Sequence, residues 1–84
     1  KEDEAVIQSE LGEALAKAGD EDEARTLLEG LADKDLVTSP EAYAELAKLR
    51  AKRGDQDGRK AAHERCKAMA KDATVCGSAV VGHS

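Results

Sequence analysis

Two Gly-Asp pairs, Gly19-Asp20 and Gly54-Asp55, stand 35 residues apart, and each interrupts apolar residues spaced three and four apart. Side chains at that spacing share one face of a helix, and glycine accepts the left-handed conformation that closes one. The chain is therefore expected to fold as two helix-break-helix units in succession. Before the first break, residues 5–18 place Ile7, Leu11, Ala14, Leu15 and Ala18 at helical spacing. Acidic Glu2, Asp3 and Glu4 precede them, where they favour the positive end of the helix dipole. After the break, residues 22–32 put Ala24, Leu27, Leu28 and Leu31 on one face, with Asp20 or Asp22 available to cap the start.

The second unit opens with Ser39-Pro40-Glu41, a capping hydroxyl followed by a proline suited to the first helical position. Residues 40–53 then contribute Tyr43, Leu46, Ala47 and Leu49, and residues 57–71 a weaker apolar face of Ala62, Cys66, Met69 and Ala70. Glu64 lies one turn after Lys60, a pairing that contributes only tenths of a kcal/mol. At the 35-residue step Leu11 falls on Leu46, Ala16-Lys17 on Ala51-Lys52, Asp22 on Asp57 and Glu29 on Glu64. Leu27 meets Ala62 and Leu31 meets Cys66. A core with no Trp or Phe and a single Tyr suits closely packed helices and suits a sheet poorly.

These residues resemble the tetratricopeptide repeat (TPR) family, whose relatives include the Sel1-like repeats. The family pattern is an aromatic, Leu-Gly, a second aromatic, then a small Ala and a large apolar residue in the second helix. The first unit supplies Leu11-Gly12, Leu15, Ala24 and Leu28, with Gln8 where the leading aromatic belongs. The second supplies Tyr43 and Leu46-Ala47, then departs with Arg50, Arg59 and His63 at positions expected to be apolar or small. The period of 35 and the long stretch before Pro40 also depart from the usual 34. The resemblance implies an all-α fold of two antiparallel hairpins over residues 1–72, a TPR-like piece of an α-solenoid. Small residues at the Leu-Gly and Ala positions let paired helices approach closely. Each hairpin leaves one apolar face for a neighbour, and two are fewer than the about three usually needed. An exposed seam, a capping tail or self-association is therefore expected. Residues 73–84 read either as a flexible tail or as the truncated first helix of a third repeat, since the same step lays Val81-Gly82 on Leu46-Ala47.

For function, the resemblance implies a protein-protein interaction or scaffold module that binds a peptide or partner protein. Its concave groove would be lined by Val6, Ser9, Glu13 and Lys17 of the first repeat and Glu41, Ala44, Lys48 and Lys52 of the second. Some family members clamp a peptide carboxylate with a fixed Lys and Asn set; this chain has no Asn, so a partner of mixed or negative charge facing the three lysines is expected instead. The alternative is a structural segment that self-associates within a longer helical array. The net charge of -5 supports that alternative, because it divides into -8 over residues 1–35 and +3 over residues 36–84. Two solvated helical faces of opposite sign account for this division equally; otherwise the opposite charges would meet between neighbouring repeats or across copies. The first residue is Lys1, and no apolar run resembles a signal sequence or a membrane span, so the chain reads as a piece of a larger protein with its compartment open.

The residues that could carry chemistry are His63, Cys66, Cys76 and His83. Their H-x2-C-x9-C-x6-H spacing fits no common closed zinc site, and no metal or other cofactor is expected. Cys66 lies about six residues before the helix end, roughly 9 Å at the helical rise, a distance the residues after Asp72 can double back. A Cys66–Cys76 disulfide and a packed Cys66 beside a free Cys76 both remain open. Sel1-like repeats join successive units with paired cysteines, which favours the bridge. No phosphate loop, nucleophile elbow or His-Glu-x-x-His is present, so no enzymatic activity is expected. Nucleic-acid binding is not expected either: Lys48, Arg50, Lys52, Arg53, Arg59 and Lys60 have no stacking aromatics among them, and the chain is acidic.

Overall fold

The computed structural model describes residues 2–76. Four α-helices follow one another: α1 (Glu2–Ala18), α2 (Glu21–Asp33), α3 (Pro40–Lys52) and α4 (Gln56–Met69), then a short 3-10 turn over Ala73–Val75. No strand occurs among the described residues. The fold is all-helical, and each boundary falls within a few residues of its sequence-based position.

Three of the helices end in the same way. Asp20 N–H donates to the Leu15 carbonyl at 2.9 Å and Gly19 N–H to the Ala16 carbonyl at 3.2 Å, with Gly19 at φ +91°. Asp55 and Gly54 repeat this against Arg50 and Ala51, with Gly54 at φ +80°. These are Schellman closures, which satisfy carbonyls that the last turn would leave without partners. Leu36 and Asp35 close α2 against Leu31 and Ala32 in the same pattern, with Asp35 at φ 58° where the other two closures use glycine. Aspartate is among the few residues that tolerate this region, which explains why the sequence shows no glycine break here.

The helix starts are less uniform. Ser39 caps α3, its hydroxyl accepting from Ala42 N–H at 3.1 Å, and Pro40 takes the first position. Asp55 caps α4 by accepting from Gly58 N–H at 2.9 Å. Asp20 holds the corresponding place before α2 but makes no side-chain cap, so Glu21, Asp22 and Glu23 in the first turn favour that end through the helix dipole alone.

The core gathers Leu28, Leu31, Val37, Tyr43, Leu46, Leu49 and Cys66 with four small alanines, Ala24, Ala42, Ala47 and Ala62. α3 is the central element, packed against α1, α2 and α4, and the 3-10 turn also rests on it. No comparable contact joins α1 to α4. α1 corrects one sequence expectation. Its inward side is Ala5, Ser9 and Gly12, whereas Ile7 is 60% and Leu11 45% exposed, and Ala14 and Ala18 are also exposed. The helix carries apolar residues on two opposite faces, and the face with the smallest side chains is the one that α2 and α3 can approach. A Cβ at Gly12 would lie 2.6 Å from Leu28 Cγ, so no larger residue fits there.

Cys66 and Cys76 form a disulfide with their Cα atoms 6.0 Å apart, and both are buried. The bridge ties the 3-10 turn to α4. Cys66 Sγ sits 3.1 Å from the Pro40 carbonyl oxygen, a packing contact, since a bridged sulfur has no hydrogen to donate. Of the expected tail, residues 73–76 therefore form a docked turn rather than the start of an α-helix. The rest of residues 73–84, with the Val81-Gly82 match on which the third-repeat expectation rests, lies outside the described residues.

Candidate functional site

A groove of about 1030 Å³ opens between the first half of α1 and the last half of α2. Buried Ala5, Leu31 and Val37 line it together with the more exposed Val6, Leu27 and Leu36. Glu4, Lys34 and Asp35 bring charge to its edge. Its width follows from two residues. Gly30 stands on the groove side of α2, and a Cβ built there would meet nothing within 4 Å. Gln8 lines the groove from α1, at the position where the second hairpin, 35 residues on, has Tyr43.

A second, smaller hollow of about 330 Å³ lies on the second hairpin, lined by Tyr43, Ala61, Ala62 and Arg65 with the end of α2 alongside. The Tyr43 ring is buried in it, and the Arg65 guanidinium lies 5.8 Å from the ring centroid. Arg65 also pairs with Asp35. Tyr43 first, and then Asp35, hold the guanidinium pKa above its ordinary value.

The eight residues assigned to a concave groove are not brought together as one open face. Ser9 is fully buried, and its hydroxyl accepts from Thr38 N–H at 3.1 Å. Glu13 accepts from the Ser39 hydroxyl at 3.0 Å, linking α1 to the cap of α3. Lys52 pairs with Glu21 across the two hairpins, and Lys48 lies 3.9 Å from Glu45 one turn before it. Ala44 is half-buried against the core. Glu41 and Lys17 are exposed, and Val6 lies in the α1–α2 groove described above. Ser9 and Glu13 are engaged for one reason: α1 and α3 touch along the side from which they project, so these polar groups join the hairpins. Sequence reasoning missed Leu27, Gly30 and Leu36 as surface-forming residues. The available signal was Gln8, which stands 35 residues before Tyr43 without its aromatic ring.

The charge asymmetry also has a use within the chain. Besides Glu21–Lys52 and Asp35–Arg65, Arg50 Nε donates to Glu29 at 3.3 Å while its Nη1 donates to the Gly58 carbonyl at 3.0 Å. Acidic first hairpin and basic second hairpin thus meet between neighbouring repeats of one molecule, one of the two contacts, between repeats or between copies, that the sequence offered. At the 3-10 turn, the N–H and hydroxyl of Thr74 both donate to one Asp72 oxygen at 2.9 Å and hold that carboxyl below the usual range. Among the described residues, no three His, Cys, Asp or Glu side chains gather to hold a metal ion, and no helix is long and apolar enough to cross a membrane. His63 is half-buried, and His83 lies outside the described residues.

Comparison with known proteins returns no matching family model, no matching curated protein and no matching solved structure.

Proposed function

We propose that the chain is a protein-interaction module of the TPR-like kind, and that the α1–α2 groove, rather than the α1–α3 face, receives a peptide or partner segment. The observation that carries this reading is the groove itself, where Val6, Leu27 and Leu36 stay partly exposed beside an otherwise covered core. Contiguous apolar surface rimmed by charge is what interaction sites present to a partner. The TPR-like assignment draws support from the packing order. α3 lies against α1, α2 and α4 while α1 and α4 make no comparable contact, whereas a closed four-helix bundle brings its first and last helices together. The tight Gly12–Leu28 approach adds to it.

Mapping of amide shifts during titration with candidate peptides tests the reading. Shifts should cluster at residues 4–8 and 26–38, and Leu36→Asp should lower affinity at least about tenfold with the helical signal unchanged. Shifts confined to α3 and α4, or affinity indifferent to that substitution, would reject the groove.

A second reading, assembly within a longer helical array, is favoured by a different observation. The exposed Ile7 and Leu11 fall at the 35-residue step on Ala42 and Leu46, which are fully buried on α3, the helix that packs against the first hairpin as well as α4. The α1 stripe is thus the surface on which another hairpin would stack. Sedimentation of the chain and of Leu11→Glu separates the readings: an association that disappears in the variant supports assembly, and a monomer at all concentrations leaves the groove reading ahead.

A further inference from the structure

The groove and the smaller hollow of the second hairpin are the same place in two copies of one repeat. At the 35-residue step Gln8 falls on Tyr43, Thr26 on Ala61, Leu27 on Ala62 and Gly30 on Arg65. All four members of the first set line the groove, and all four members of the second line the hollow. What differs is the filling. In the second hairpin a buried aromatic ring occupies the site with a guanidinium over it, and Asp35 pairs with that guanidinium. In the first hairpin Gln8 and Gly30 replace the ring and the cation, and the space is about 1030 Å³ against about 330 Å³.

We infer that the groove takes an aromatic side chain accompanied by a cationic one, both from a basic peptide segment outside these 84 residues. The inference rests on the interaction-module reading and names the partner's chemistry. Leu27 and Leu31 offer the ring an apolar bed, as Ala62 and its neighbours do for Tyr43. A cation over an aromatic face gains most when partly desolvated, which a groove wall provides. The edge groups are Glu4, Lys34 and Asp35, the last already paired with Arg65, and residues 1–35 carry -8, so the surrounding field of the first hairpin, more than the edge itself, favours a basic segment. The chain cannot fill the site from a second copy of itself, because its only aromatic residue, Tyr43, is already buried.

Fluorescence anisotropy with three labelled synthetic peptides tests this. One carries a tyrosine flanked by arginines, one has alanine for the tyrosine, and one has leucine for the tyrosine and glutamates for the arginines. Each is titrated with the wild-type chain and with Gln8→Tyr/Gly30→Arg, which rebuilds the second hairpin's filling in the first. Gly30 has open space for the new side chain, and replacing a mid-helix glycine favours the helix, so this variant should fold with a Tm equal to or above wild type. The Tyr/Arg peptide should bind wild type at least about tenfold more tightly than either control, and the filled variant should lose that binding by a similar factor. Preference for the Leu/Glu peptide, lost in the filled variant, would overturn the aromatic-cation chemistry and leave the groove reading standing. Equal binding by wild type and the filled variant would overturn both. No binding of the Tyr/Arg peptide to wild type at millimolar concentration would also overturn the inference.

Discussion

In the first hairpin the small residue sits on the leading helix: Gly12 of α1 receives Leu28 of α2, and the joint is apolar. In the second hairpin the buried Ala47 holds the register of Gly12, and a glycine is added on the following helix: a Cβ at Gly58 would meet its cap residue Asp55 first, 2.7 Å from Cγ, and then Cδ of Arg50 on α3 at 2.9 Å. The guanidinium of Arg50 then bonds the Gly58 carbonyl and Glu29 of the first hairpin. One helix pair is closed by a leucine, the other by the aliphatic stem of an arginine whose charged end reaches across to its neighbour. The difference extends along α4. Arg59 and His63 fall in register with Ala24 and Leu28, and both stay only half-buried while Ala62 and Cys66 turn inward. A weak apolar face is then supplemented by the disulfide. Closely related helix geometry can therefore rest on quite different side chains, provided a small residue lies where the helices approach.

The largest test of this contrast is Leu28→Ala. Leu28 is fully buried against Gly12, so the substitution leaves a cavity that neither helix can collapse into readily. We expect a loss of about 3 kcal/mol by urea or thermal unfolding, within the range of roughly 2–5 for such truncations. For a chain of this size that is a large share of total stability. A loss below about 1 kcal/mol would mean that the apolar joint does not hold the first hairpin.

Reduction of Cys66–Cys76 comes next. The sequence separation of 10 closes a short loop, for which the chain-entropy model gives about 2–3 kcal/mol. Hydrogen exchange should place the change in α4 and the 3-10 turn, with α1 and α2 affected only through global unfolding. Thiol alkylation of protein isolated without reductant should label neither cysteine until the bridge is reduced. Faster exchange spread evenly over both hairpins would deny the second one its separate staple.

How much of this was legible in the sequence depends on the kind of signal. The glycine breaks and the Ser39-Pro40 start are local, since a left-handed residue or a cap is a property of a few neighbouring atoms. They located the helices. Asp35 closes α2 in a glycine's place and left no such mark. Which face of α1 turns inward is not local. Ile7 and Leu11 are the larger apolar residues, yet the partner helices select the opposite side because Ser9 and Gly12 permit approach there. Of the assigned groove residues, Ser9 and Glu13 illustrate the same point: spacing puts them on one face without saying that α3 lies against it. The open α1–α2 groove was visible only as Gln8 standing where the 35-residue step puts Tyr43 in the second hairpin.

Arg50 sharpens the comparison at a smaller scale. Arg50→Ala should cost about 1–2 kcal/mol, because it removes the buried stem along with the bonds to Glu29 and the Gly58 carbonyl. Arg50→Met keeps much of the stem and should recover more than half of that loss in thermal unfolding. Equal losses in the two variants would show that the hydrogen bonds, rather than the packing against Gly58, close the second hairpin.

The smallest effect belongs to the ion pair between Glu21 and Lys52. Their side chains are 42% and 63% exposed, so water and salt screen the attraction and ordering two long side chains offsets part of it. Glu21→Lys should therefore lower stability by no more than about 1 kcal/mol at low ionic strength. The loss should shrink toward zero in molar salt, where the screening length is only about 3 Å. Adding Lys52→Glu restores opposite charges with the polarity reversed, and should recover most of the low-salt loss if the pair acts alone. The sum of acidic charge in the first hairpin argues for incomplete recovery, since a glutamate at 52 would face Glu21's remaining acidic neighbours, Asp22 and Glu23. A recovery that falls short at low salt and is complete at high salt would show that charges beyond the pair act on it, the helix dipoles at the start of α2 and the end of α3 among them. Full recovery at both would reduce the acidic-basic seam to one exposed pair, and leave alignment of the hairpins to Arg50 and the shared core around α3.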